Sequence, residues 1–210
     1  MKIKIVADSS ANMHRLEGID FACAPLTIRT DEREFVDNES LDILEMVDYL
    51  AKYKGKSGSA CPGVGDWLDV FGDADEVYCV TIISTLSGSY NAAMTAKAQY
   101  EEENPGKKVF VLDSYSAGPE PKLLIEKIRD LVLEGKDFET VCKEVLEYKE
   151  KSPDASFIPL ILGCSDKIRY VSAVMPIPVR DGTLYRISGT LTLSATYVKC
   201  LINPACVVLL

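Results

Sequence analysis

Histidine is almost absent from this chain of 210 residues, in which His14 is the one example. A mechanism that needs two imidazoles is therefore excluded. A Ser-His-Asp triad would have to use His14, and no Gly-x-Ser-x-Gly turn is present to carry its serine. The seven cysteines form no Cys-x-x-Cys pair and no metal-type cluster. The sequence thus predicts no catalytic residue, no metal site and no cofactor.

Clusters of Lys and Arg are also missing, and the formal net charge is −9. Because phosphate backbones are bound by clustered basic residues, a nucleic-acid partner is not expected. No apolar run reaches the length of a membrane-spanning helix, so no membrane insertion is expected. The apolar stretch within the first ten residues is too short for a signal peptide. These absences predict a cytoplasmic protein.

The charge that is present divides the chain into two parts. Residues 151–210 contain six Lys and Arg against three Asp and Glu, a balance of +3, so the first 150 residues carry −12. The texture of the sequence changes at the same place. We therefore predict an α/β domain over 1–150 and a second, smaller and mostly β domain over 151–210.

In the first part, apolar strand-like runs alternate with helical patterns. This alternation predicts parallel strands joined by crossover helices, with helices flanking the sheet. A hairpin is predicted at 24–37, with a turn at Thr-Asp-Glu. The remaining predicted elements are strands at 2–8, 76–83 and 107–113, a glycine-rich loop and short helix through Trp67 and Phe71, and helices at 40–53, 88–103, 119–135 and 137–151, with Ser40 and Asp137 as caps.

Three strands end in hydroxyl residues, and the richest of these ends is Ser-Thr-Leu-Ser-Gly-Ser at 84–89. A strand that delivers the chain into a helix N-terminus makes an anion site. There Gly88 would admit a close approach, and the Ser87 hydroxyl and the amides of Gly88 and Ser89 would converge on one oxygen. Ser84 is a secondary candidate. Helix capping explains the same hydroxyls equally well, and both interpretations stay open.

The loop Ser-Gly-Ser-Ala-Cys-Pro at 57–62 offers Ser57 and Ser59 to the same kind of site, although most such loops only connect elements. Cys61 could be a nucleophile, but no basic partner is identifiable and a passive thiol is the simpler interpretation. Asp8 and Asp113 end strands and could bind a metal or a hydroxyl. Aspartate in this position more often stabilises a turn or caps a helix.

Five stretches together resemble the DegV family of bacterial lipid-binding proteins. They are KIVADSSAN, APLTI, SACPGVGDW, ISTLSGSYNAA and VLDSYSAGPE, in the family's order through about the first 150 residues. The resemblance implies a two-domain DegV-like α/β fold. It also implies a carrier that binds one long-chain fatty acid and presents it to a separate fatty acid kinase component.

By position, Ser87 matches the serine of the family's Leu-Ser-Gly motif, and Ser59 matches the first hydroxyl of its Thr-Ser-Gln-Pro motif. The resemblance implies that these loops hold the carboxylate and that the acyl chain enters an apolar tunnel. Ala60 and Cys61 depart from the pattern, and the family's C-terminal basic motif is not recognisable. Arg169 and Arg186 are therefore the candidates for a basic head-group contact. The alternative is a small phosphotransferase or hydrolase that uses the hydroxyl-rich sheet edge.

Overall fold

The computed structural model describes residues 1–117 and 119–151. Strands and helices alternate along this part of the chain, as the sequence predicts. The strands are β1 (Ile3–Asp8), β2 (Asp20–Ala24), β3 (Thr27–Thr30), β4 (Glu34–Val36), β5 (Ser57–Ala60), β6 (Glu76–Thr81) and β7 (Lys108–Asp113). The helices are α1 (Ile43–Lys52), α2 (Val64–Phe71), α3 (Ser89–Glu103), α4 (Pro119–Leu133) and α5 (Phe138–Lys151).

Four strands form a parallel sheet in the order β2-β1-β6-β7. The predicted α/β class with a helix-flanked parallel sheet is confirmed. Strand order, which the sequence does not give, places the carboxyl ends of β1 and β6 side by side. The segments that follow these two strands therefore meet at one edge of the sheet, where ligands bind in folds of this type.

The parallel sheet is covered on both faces, because successive side chains of a strand point in opposite directions. On one face Ile5 and Tyr78 pack under α4 and α5. On the other face Val6 and Cys79 pack under α2 and α3. Burial on both faces explains the continuous apolar runs at 5–7 in β1 and 77–80 in β6. We call this sheet with its four helices the parallel body.

The strands β4-β3-β5 form a separate antiparallel sheet that carries α1. It has its own small core of Ile28, Phe35 and Met46. The predicted hairpin is confirmed as β3 and β4, and its turn is closed by the Thr30 amide, which donates to the Arg33 carbonyl at 2.8 Å. We call this sheet with α1 the small unit.

Sequence analysis did not predict two of the strands, β5 and β2. The predicted loop at 57–60 is β5, which hydrogen-bonds along the free side of β3. Nothing in Ser-Gly-Ser-Ala favours a strand, so β5 owes its conformation to this pairing. The short strand β2 pairs in parallel with β1 at the edge of the larger sheet.

Helix ends differ from the prediction at one place and agree at another. Helix α1 begins after Asp42, whose side chain accepts from the Glu45 amide at 3.0 Å, whereas Ser40 donates to Asn38. The prediction that Ser40 caps this helix is therefore wrong. Asp137 does cap α5, since it accepts from the Thr140 amide at 3.1 Å.

The predicted second domain at 151–210 lies outside the described residues, apart from Lys151. Within the ranges 1–117 and 119–151, no helix is both long and apolar enough to cross a membrane.

Candidate functional site

A cleft of about 170 Å³ opens between the parallel body and the small unit. Its two walls come from different sheets. The strand wall, from the small unit and the residues beside it, consists of Leu26, Ser59, Ala60 and Cys61; the helix wall, from the segment between β6 and α3, consists of Ile82, Leu86, Ser87 and Gly88. The structure thus brings Ser59, Ser87 and Gly88, which lie in two separate sequence motifs, into one cleft.

Ser87 lies just before α3, and its hydroxyl oxygen accepts from the Ser89 amide at 3.2 Å. The Ser89 amide is therefore occupied, and the expectation that it points at a ligand oxygen together with Ser87 is wrong. Accepting this bond leaves the hydroxyl proton of Ser87 free for an anion. Capping and binding are thus compatible roles for this one side chain.

Gly88 precedes α3 with an ordinary helical backbone conformation (φ −71°, ψ −3°). Conformational freedom is therefore not the reason for glycine here. A Cβ atom at this position would lie 3.2 Å from the Cys61 sulfur, which is tighter than most Cβ contacts. Glycine lets the two walls approach closely, and it leaves the positive end of the α3 dipole open to the cleft.

Asp8, at the end of β1, is 1% exposed and anchors the helix wall from below. Its carboxylate accepts from the Ile82 amide at 2.9 Å and from the Ser89 hydroxyl at 2.6 Å, and the Ser10 hydroxyl also donates to it. Burial raises the pKa of Asp8, while the bonds from Ser10 and Ser89 oppose that rise. Asp8 therefore acts as a buried anchor. Among the described residues, no group of three or more His, Cys, Asp or Glu could hold a metal.

Asp113, at the end of β7, anchors the segment where the helix wall begins. Its carboxylate accepts from the Ser84 amide at 3.2 Å and from the Tyr115 amide at 3.0 Å. The Ile83 amide also donates to the Ser116 carbonyl at 3.1 Å. The loops after β6 and β7 are therefore joined to each other.

Lys149 brings the end of α5 to this same edge. Its ammonium donates to the Asp113 carbonyl and lies 3.2 Å from the centroid of the Tyr115 ring. Desolvation lowers the pKa of Lys149, and the neighbouring Asp113 carboxylate opposes this. Sequence analysis missed this lysine, because only the packing of α5 brings it to the sheet edge.

The other predicted candidates lie elsewhere. Neither Ser57 nor Ser84 lines the cleft: Ser57 pairs with Thr30 at the far end of β5, and the Ser84 amide is bound to Asp113. Arg169 and Arg186 lie outside the described residues. The exposed His14 is not among the described residues that line the cleft.

Apolar lining residues were also missed. Leu26, Ile82 and Leu86 face the cleft together with the serines. Each of them lies within five residues of the end of a predicted strand. That position was the signal in the sequence that could have identified them as residues of the cleft.

Comparison with known proteins identifies the family. A model of uncharacterised DegV family proteins matches residues 2–159, which is most of the chain. This chain belongs to the DegV family. Its resemblance to that family in five short motifs is thereby confirmed. A DegV domain-containing protein of Streptococcus pneumoniae is 38% identical over 194 residues, covering 90% of this chain and 64% of that protein.

Two solved structures resemble this DegV chain. One is a DegV family protein from Eubacterium eligens loaded with heptadecanoic acid, with 46% identity and a TM-score of 0.70. The other is the fatty acid kinase B3 protein of Streptococcus pneumoniae loaded with linoleic acid, with 42% identity and a TM-score of 0.70. The match covers 71% of this chain, and 54% and 55% of those chains. The chain therefore spans about two thirds of the curated relative and about half of the solved ones.

Proposed function

We propose that this DegV chain binds a long-chain fatty acid, with the carboxylate held by the hydroxyls of Ser59 and Ser87 at the open N-terminus of α3. The observation that carries the proposal is the convergence of these two serines on one cleft. Two relatives of 46% and 42% identity, crystallised with fatty acids, support this ligand class. We further propose that the chain presents its ligand to a separate fatty acid kinase.

The chemistry of the cleft suits a carboxylate. Hydroxyl protons and the helix dipole stabilise an anion without a full positive charge. Among the described residues that line the cleft there is no Lys or Arg, and Leu26 and Ile82 are buried apolar side chains beside the serines. Hydrogen bonds to a charged group are strongest where water is excluded. A chain with a net charge of −9 can therefore bind an anion in this local environment.

The volume of the cleft suits one end of the ligand. Pockets that enclose a drug-sized ligand measure roughly 300–1,000 Å³. A cleft of about 170 Å³ holds the head group and the first carbons. Burial of the acyl chain, at about 0.8 kcal/mol per CH₂, would supply most of the affinity from an apolar tunnel beyond the cleft. The Ser59 and Ser87 hydroxyls then select a carboxylate over other head groups.

The test is Ser87→Ala in the full chain, with Thr85→Ala from the same exposed segment as the matched control. Purified parent protein is first extracted with solvent, and mass spectrometry is expected to find a long-chain fatty acid. After delipidation, Ser87→Ala should bind palmitate or oleate about tenfold to hundredfold more weakly, because a hydrogen bond to a charged group contributes about 1.5–3 kcal/mol. Thr85→Ala should bind like the parent.

A neutral fatty alcohol separates the head-group contact from general damage. Its binding should change little in Ser87→Ala, because it has no carboxylate for the hydroxyl to hold. Equal losses for acid and alcohol would contradict the head-group assignment, and a delipidated parent that binds neither would refute the proposal. The chain alone should hydrolyse no ester or phosphate. Turnover that disappears in Cys61→Ala or His14→Ala would make it an enzyme instead.

A further inference from the structure

Two adjacent residues at the end of β1 bond to opposite walls of the cleft. Asp8 bonds to the helix side, since its carboxylate accepts from the Ile82 amide at 2.9 Å and from the Ser89 hydroxyl at 2.6 Å. Ile82 lines the cleft, and Ser89 follows Gly88 directly. The position of the helix wall is thus fixed relative to Asp8.

Ser9 bonds to the strand side. Its hydroxyl oxygen accepts from the amide of Leu26, a residue of the strand wall, at 3.0 Å. The Leu26 carbonyl in turn accepts from the Asp37 amide at 2.9 Å, so the two ends of the β3–β4 hairpin are bonded to each other. Ser9 therefore holds the base of the hairpin whose strand β3 pairs with β5, the strand that carries Ser59.

Both residues are almost inaccessible to water, with Asp8 1% and Ser9 2% exposed. Water does not compete for their hydrogen bonds, so each bond fixes the distance between its partners. The small unit has a core of its own, in Ile28, Phe35 and Met46. Apolar packing inside that core holds the small unit together but does not set its distance from α3.

We propose that Asp8 and Ser9 are positioning residues that clasp the two walls and set the separation between the Ser59 and Ser87 hydroxyls. Neither residue touches the ligand. Their part in ligand binding rests on the proposed function, whereas the clasp itself can be tested in protein without ligand. Because Asp8 and Ser9 are neighbours in the chain, a shift of either wall is limited by one short stretch of backbone.

Cys61 provides the readout without ligand. Its sulfur packs against Gly88 across the cleft, so separation of the walls exposes the thiol. In delipidated Ser9→Ala, alkylation of Cys61 by iodoacetamide should be about fivefold faster than in the parent, which corresponds to the loss of one hydrogen bond of about 1 kcal/mol. Peptide mass spectrometry follows Cys61 and, in the same molecule, Cys142 on α5, whose rate should not change.

Tyr100→Phe is the matched control. Tyr100 is buried, and its hydroxyl donates to the Ala74 carbonyl at 2.7 Å, before the start of β6 and at the opposite end of that strand from the cleft. It should lose comparable stability but keep the parent's rate at Cys61. If Ser9→Ala does not fold, Ser89→Ala removes the hydroxyl that bonds to Asp8 on the helix side of the clasp and should also accelerate Cys61 alone. An unchanged Cys61 rate, or equal acceleration at Cys61 and Cys142, would overturn the clasp.

Oleate binding then tests the functional part. Ser9→Ala should weaken binding in the parent, but it should add little in a Ser59→Ala background, because the residue that it positions is then absent. Full additivity of the two losses would refute positioning through Ser59. If the parent binds no oleate while Ser9→Ala still accelerates Cys61, the proposed function fails and the clasp stands.

Discussion

The parallel body and the small unit are built from different balances of forces. The parallel body buries apolar side chains on both faces of its sheet, including Trp67, Tyr78 and Ile128, which are not exposed at all. The small unit buries only Ile28, Phe35 and Met46. It supplements this core at its surface, where Arg33 lies 5.0 Å from the Phe35 ring centroid and 5.1 Å from that of Tyr49.

The comparison teaches that the two walls of the cleft differ in stability. Elements with few buried apolar contacts open locally at lower free energies than a protein's core. Ser87 stands on the more stable region and Ser59 on the less stable one. The site therefore has a fixed side and an adjustable side, and opening of the small unit would change the cleft without unfolding the parallel body.

The largest effect is expected from Trp67→Ala in the parallel body. Trp67 is fully buried and packs 6.2 Å from Phe71, measured between ring centroids. Its truncation should lower the free energy of unfolding by about 3–5 kcal/mol. Denaturant titration measures this loss, and amide exchange should accelerate in β6 and β7 together. Acceleration confined to α2 would show that the parallel body is not one cooperative unit.

Met46→Ala is the matching change in the small unit, where Met46 is fully buried. We expect a loss near the lower end of the usual range, about 2 kcal/mol, because a core of three residues can partly collapse around the gap. Amide exchange should accelerate in β3, β4 and β5 but not in β6. The same acceleration in β6 would mean that both regions unfold as one, and the comparison would fail.

A smaller, pH-dependent effect is expected at the two buried aspartates, Asp8 in the parallel body and Asp37 beside the small unit. Burial raises the pKa of both carboxyls above 3.8. The folded state thus binds these protons more tightly than the unfolded state. The resulting stabilisation is complete below the unfolded pKa and is lost as pH rises through the folded pKa.

Asp8→Asn and Asp37→Asn each replace a titrating carboxyl with a neutral amide, so the variants do not lose this stability as pH rises. Each variant should gain melting temperature relative to the parent as pH rises from acidic to neutral, and the gain should be larger for Asp8, whose carboxyl is more completely buried. Thermal melts across that pH range measure the difference. A gap between parent and variant that is independent of pH would show that the carboxyl in question titrates normally.

The smallest effect is expected from Glu45→Gln, which removes the ion pair with Arg33 at 2.8 Å on the surface of the small unit. Both side chains are about half exposed, so solvent screens the pair and its loss should cost less than about 1 kcal/mol. Urea titration measures the free energy of unfolding of Glu45→Gln, and the same measurement on Met46→Ala gives the value for comparison. A cost equal to that of Met46→Ala would mean that surface charges, and not the core, hold the small unit together.

The sequence predicted most of the parallel body because its elements carry their own patterns. The run from Val77 to Thr81 reads as a strand buried on both faces, and Asp137 caps α5 where a cap is expected. Strand β5 was missed because its four small residues have no strand preference and depend on β3 for pairing. The local sequence pattern predicts an element whose own residues favour its conformation. It does not predict an element, such as β5, whose conformation depends on pairing with a strand elsewhere in the chain.

The same distinction applies to the candidate site. Sequence motifs identified Ser59 and Ser87 separately. That they share a cleft follows from the strand order and from the packing of Cys61 against Gly88, which no local pattern encodes. The contacts of Asp8 and Ser9 with the two walls were missed for the same reason, since those partners lie between 17 and 81 positions away in the chain.

The contact of Lys149 with Asp113 and Tyr115 ties the end of α5 to the loop that follows β7. It fixes the last turn of that helix beside the carboxyl edge of the parallel sheet, near the loop that leads to Ser87. Because the Ile83 amide donates to the Ser116 carbonyl, α5 supports the segment before Ser87 through the loop after β7. A helix whose residues do not line the cleft therefore helps to set the position of the helix wall.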